Sequence, residues 1–81
     1  MKKEIWVTEG LGEANPSPYN LTENETIGEF KRRYAEKFDV PTSDIQAVTD
    51  SGKRLTDDGA KLSKFVKNGE SVQVLPRAKG G

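Results

Sequence analysis

Apolar side chains fall two apart in "EIWVT". Ile5 and Val7 share one face and Trp6 takes the other, which predicts a strand over residues 3–8. "EGLGEANPSP" is dense in glycine, proline and asparagine and reads as a loop. "YNLT" predicts a short second strand with Leu21 turned inward. Pro16 and Pro18 mark that strand as an edge or a ragged start, because proline cannot donate to a ladder. The period then changes. Ile27, Phe30, Tyr34 and Phe38 recur at offsets of three, four and four, the stripe of an amphipathic helix packed on a core. Thr26 and Glu29 have the spacing of a capping box at its start. Pro41 forces Val40 toward an extended conformation and stops the helix near Asp39.

Beyond the helix, "DIQAV" predicts a strand with Ile45 and Ala47 on one face and Val48 on the other. A turn at "DSGK" and a very short strand around Leu55 follow. Leu62, Phe65 and Val66 have near-helical spacing over too few residues for a full helix, so a turn or a single short helical turn is expected. "ESVQVL" predicts the last strand, with Val72 and Val74 inward and Gln73 and Leu75 outward. One helix with one apolar stripe covers one face of a four- or five-stranded sheet. The expected architecture is therefore an α+β roll whose other sheet face meets solvent, with Trp6, Leu75 and Val48 on that open face.

Composition narrows the chemistry. The 81 residues make one domain with a thin core, since 32% are apolar and 32% charged. Thirteen acidic and 13 basic residues cancel, which argues against a general nucleic-acid binder. "KRR" at Lys31–Arg33 reads as a solvated helix face. No segment approaches the length of a membrane span, and "MKKEIWVTEG" lacks the apolar run of a signal peptide. The expectation is a cytoplasmic monomer without membrane contact.

The sequence contains neither cysteine nor histidine, so it has no disulfide, no Cys–His or Ser–His nucleophile and none of the common zinc sites. Asp57 with Asp58, and Glu23 with Glu25, lie in polar turns and read as solvated charge. An enzyme is not expected, nor is a bound cofactor or metal.

Two segments carry a resemblance. "ETIGEFKRRYAEKFDVP" and "SGKRLTDDGAKLSKF" resemble the helix, its proline exit and the following turn in the ubiquitin-like β-grasp family. The likeness continues through "ESVQVL" to the terminal glycines, over roughly residues 19–81. It implies a β-grasp roll over residues 1–75 and a tail over residues 76–81. In this family an activating enzyme of the ubiquitin-activating type adenylates the terminal carboxylate with ATP. The acyl group then passes as a thioester to a lysine of a target protein.

For this chain the resemblance implies Gly80 and Gly81 as the conjugation terminus, with Arg77 and Lys79 presented to the activating enzyme. Glycine suits a terminus that must enter a narrow site, because backbone can approach backbone closely. Extended, residues 76–81 would reach about 20 Å. Lys53 matches a common acceptor lysine, while Lys31 matches a helix lysine whose plainer reading is solvated surface. Trp6, Leu11, Val48 and Leu75 are the expected partner-binding surface. The first hairpin is longer than the family's, Pro76 replaces an aliphatic residue, and "AKGG" replaces a more basic tail. These departures imply a dedicated activating partner.

The same tail, "KNGESVQVLPRAKGG", is similar to those of sulfur-carrier proteins. There the adenylated glycine becomes a thiocarboxylate that delivers sulfur to an acceptor enzyme. A third reading is a non-covalent ubiquitin-like binding module or small enzyme subunit.

Overall fold

The structure is a computed structural model that describes residues 3–9 and 15–76. Its elements are β1 (Lys3–Glu9), β2 (Ser17–Leu21), α1 (Ile27–Phe38), β3 (Ile45–Thr49) and β4 (Ser71–Pro76). They form a four-stranded sheet in the order β2-β1-β4-β3. β1 and β2 are antiparallel, β3 and β4 are antiparallel, and β1 and β4 run parallel at the centre. The helix packs across one face, giving the α+β roll expected from the residues and the β-grasp arrangement that the resemblance implies.

The alternation seen in the sequence places the core. Ile5 and Val7 of β1, Leu21 of β2, Ile45 and Ala47 of β3, and Val72 and Val74 of β4 are buried. They pack against Ile27, Phe30 and Ala35 of α1. Tyr34 of the helical stripe and Tyr19 of β2 complete an aromatic cluster around Phe30. Tyr19 meets Phe30 edge-on at 5.2 Å between ring centroids, and Phe30 lies 5.1 Å from Tyr34. Leu55, Leu62 and Val66 close the far side of the core.

Helix α1 begins as its residues dictate. The Thr26 hydroxyl accepts the Glu29 amide at 3.1 Å, and the Glu29 carboxylate accepts the Thr26 amide at 3.0 Å. Two further first-turn amides are satisfied from outside the helix. Ile27 donates to the Ala60 carbonyl and Gly28 to the Asp58 carbonyl, both at 2.9 Å. Gly28 is needed for this approach, since a Cβ there would stand 3.0 Å from the Asp58 carbonyl oxygen. The helix ends on Asp39 in the left-handed conformation, at φ 59°.

The expected turn near Leu62 is a 3-10 turn over Leu62–Lys64, and a second 3-10 turn that the pattern did not reveal covers Thr42–Asp44. The short strand expected around Leu55 is reduced to one bridge, Val48 to Arg54. β2 starts two residues earlier than expected, at Ser17, with Pro18 inside it. That is allowed because β2 is an edge strand. Its odd-numbered residues pair with β1, so the missing Pro18 amide falls on the free side.

Candidate functional site

Alternation decides what the open face carries. In β1 the side chains between the buried pair are Glu4, Trp6 and Thr8. In β4 they are Ser71, Gln73 and Leu75, and in β3 Gln46 and Val48. Trp6 is the large hydrophobic residue most open to solvent among the described residues, at 37% exposure. Val48 and Leu75 are half-buried. All three therefore lie on the face that the sequence pattern assigned to them.

The register separates them into two places. Gln46 sits opposite Leu75 and Val48 opposite Gln73, so Val48 and Leu75 are diagonal neighbours. Such pairs stand about 7–8 Å apart, within reach of one partner side chain. Trp6 is on β1, with Ser71 of β4 opposite it on one side and Pro18 of β2 on the other. A shallow depression of about 270 Å³ lined by Thr8, Val48, Ser71 and Gln73 lies between Trp6 and the aliphatic pair. The open face thus presents an aliphatic pair and a tryptophan–proline pair, divided by polar residues. Leu11, Arg77, Lys79, Gly80 and Gly81 lie outside the described residues. β4 runs through Pro76, which pairs with Ile45.

Lys53 is exposed at the end of a turn. Gly52 supplies φ +93° there, and the Lys53 amide donates to the Thr49 hydroxyl at 3.1 Å. Its ammonium lies 4.6 Å from the centre of the Phe65 ring. An exposed cation–π contact is worth about 0.5–1 kcal/mol, a weak restraint on the ammonium.

Two charged residues depart from the sequence expectation. Lys31 is not solvated: its side chain is 10% exposed, and its Nζ lies 3.0 Å from an Asp58 carboxylate oxygen. The cause is the seat of the helix on residues 57–60, which lays Asp58 beside it. Glu25 is also buried. It accepts hydrogen bonds from the Tyr19 hydroxyl and, at 3.5 Å, from the Thr22 hydroxyl, while the Arg33 guanidinium stands 3.9 Å away. Its backbone carbonyl takes the Leu62 amide at 3.0 Å.

The cluster shifts the nearby tyrosines. Burial, then the hydrogen bond to Glu25, pushes the Tyr19 hydroxyl well above its ordinary value. Burial and the Glu9 and Glu25 carboxylates push Tyr34 up to about 12. These are structural groups, as each faces the core rather than a cleft. Among the described residues no group of three or more acidic side chains is placed to hold a metal ion. Among them, too, no helix is long and apolar enough to cross a membrane.

No family model matches the chain, and no curated protein sequence matches it. Solved structures do. Ubiquitin of Caldiarchaeum subterraneum superimposes with a TM-score of 0.74 at 20% identity, covering 100% of both chains. The C-terminal ubiquitin-like domain of mouse tubulin-specific chaperone e superimposes at 0.81 with 16% identity, over 99% of this chain and 91% of that one. The ubiquitin-like domain of an Arabidopsis thaliana protein gives 0.71 and 19%, over 98% and 85%. The fold is the ubiquitin-like β-grasp.

Proposed function

We propose that this ubiquitin-like chain is a protein modifier whose Gly81 carboxylate is activated by a separate enzyme and joined to lysines of target proteins. The observation that carries the reading is a juxtaposition. A full-length structural likeness to a protein named ubiquitin meets a sequence, "RAKGG", that follows directly on β4. Ubiquitin-like domains generally act by binding other proteins, and fold alone does not choose among their roles.

The chemistry belongs to the partner. A carboxylate oxygen of Gly81 attacks the α-phosphate of ATP and releases pyrophosphate. An enzyme thiolate then displaces AMP to form a thioester, and a lysine amine displaces the thiol to give an isopeptide bond. This chain supplies a slender acyl group together with Arg77 and Lys79 for recognition. It also supplies an open face on which Val48 and Leu75, and separately Trp6, meet partners. Lys53 is the acceptor should chains form. The proposed setting is the cytoplasm.

The proline that closes β4 favours a second reading, a sulfur carrier whose adenylate is converted to a thiocarboxylate. The likeness to a domain of a tubulin chaperone favours a third, a non-covalent module. One experiment separates them. The full chain is incubated with ATP in extract of its own cells, and Gly81 is followed by mass spectrometry. A modifier yields target lysines carrying the Gly80–Gly81 remnant. A carrier yields a terminus with one oxygen replaced by sulfur. A Gly81 deletion that complements the organism fully would overturn both and leave the module.

A further inference from the structure

The two edges of the sheet differ in how their outward backbone groups are used. On β2 the free side carries Pro18, which has no amide to offer, and Asn20. On β3 the odd-numbered residues turn their backbone groups away from β4. At the far end of the strand these groups are used. The Thr49 amide donates to the Lys53 carbonyl and the Leu55 amide to the Ala47 carbonyl, both at 2.9 Å. At the near end the Ile45 amide is spent on the Thr42 carbonyl. Between them, the Ala47 amide and the Ile45 carbonyl have no partner among the described residues.

Those two groups open into a cleft with a structural cause. Leu55 stays on β3, but Asp58 and Ala60 are drawn to the first turn of α1 by the bonds from Gly28 and Ile27 and by Lys31. The chain therefore leaves the strand after Leu55 and opens a space of about 310 Å³ over Ile45–Val48. That is the lower end of the range for small binding pockets. Ala47 is 2% exposed, so an amide left without an acceptor there is costly. The wall is also charged unevenly. Lys31 and Asp58 neutralise each other, whereas Arg54, exposed on the lip, has no ion-pair partner among the described residues.

We propose that this cleft binds an extended, acidic segment of a partner protein, which adds to β3 as a short parallel strand. Parallel addition meets both groups with a single residue, where antiparallel addition would need two. One residue placed opposite Gln46 donates its amide to the Ile45 carbonyl and accepts the Ala47 amide with its own carbonyl. An acidic side chain beside it pairs with Arg54. The cleft shares Gln46 and Val48 with the open face but not Trp6 or Leu75, so a partner here leaves the tryptophan side of that face accessible. The inference does not depend on the fate of Gly81.

The test uses the full chain, isotope-labelled, with two capped peptides of alternating valine and charged residue, one glutamate and one lysine. The expected result is saturable binding of the glutamate peptide that moves the Ala47, Ile45 and Arg54 resonances and slows exchange of the Ala47 amide. Arg54→Glu, an exposed change that spares the fold, should weaken it roughly tenfold, and Arg54→Lys should restore much of the loss. Equal binding of the lysine peptide, shifts confined to Trp6 and Thr8, or no response of the Ala47 amide at saturation would overturn the proposal. So would shifts that grow with protein concentration alone, which would make the occupant a second copy.

Discussion

The sheet's two faces are made by the same four strands and differ only in which alternate residues they receive. Toward α1 stand Ile5, Val7, Leu21, Ile45, Ala47, Val72 and Val74, all buried. Toward solvent stand Trp6, Thr8, Asn20, Gln46, Val48, Gln73 and Leu75, mostly polar and none fully buried. The helix-facing set is bound by packing on every side, and a change there is felt as lost stability. Among the described residues no layer lies above the open set, so its apolar members meet solvent.

The sharpest contrast is between the two faces' largest residues. Phe30→Ala should destabilise by about 3–5 kcal/mol in denaturant titration, because a fully buried ring is replaced by a cavity. Trp6→Ser should cost less than about 1 kcal/mol, the scale of a cross-strand pair. A comparable loss at both positions would mean that the open face is covered in solution.

The next contrast lies within one ion pair. Lys31 is nearly buried and Asp58 is 57% exposed, so the partners are not equivalent. Asp58→Ala leaves an ammonium buried without a counter-charge and should cost about 2–3 kcal/mol. Lys31→Met keeps the packing and leaves a carboxylate in water, for a cost within about 1 kcal/mol. Chemical denaturation of both variants in parallel checks the asymmetry.

The smallest effects are read by pH. Hydrogen bonds from the Thr26 amide and hydroxyl hold Glu29 below its ordinary value of 4.5. A folded value below the unfolded one means that the cap contributes fully above that value and is lost as the pH falls through it. Thr26→Ala should remove about 1 kcal/mol at neutral pH. It should also flatten this acid limb. Tyr34 behaves oppositely: its value rises from 10.0 to about 12 on folding. Its contribution is intact below 10.0 and declines as the pH climbs toward 12, as the unfolded chain loses the proton first. Tyr34→Phe should reduce that alkaline decline, measured by thermal melts.

What could be read from the chain alone follows from the range of the forces involved. Strand parity, the helical stripe and the Thr26–Glu29 cap are local, and each was legible. So was the membership of the open face, because parity assigns Trp6, Val48 and Leu75 without knowledge of neighbours. Their division into two places was not, since it depends on β4 lying between β1 and β3. The burial of Lys31 was hidden for a similar reason. "KRR" is hydrophilic by composition, and only the return of Asp58, 27 residues further on, encloses the first of its cations. Glu25 looked like turn charge until Tyr19 and Arg33 closed over it. The cleft beside Ile45 had no sequence signal, as it arises where one segment diverges from another.

The parallel pairing of β1 with β4 has a consequence for how the molecule comes into being. Of the four strands, the two in the middle are the first and the last to leave the ribosome, and the interior residues Val72 and Val74 arrive after every other described element. During translation the emerging hairpin and helix have no centre to close upon. Folding therefore waits for the final strand, and Ile5, Val7 and Phe30 stay within reach of chaperones until then.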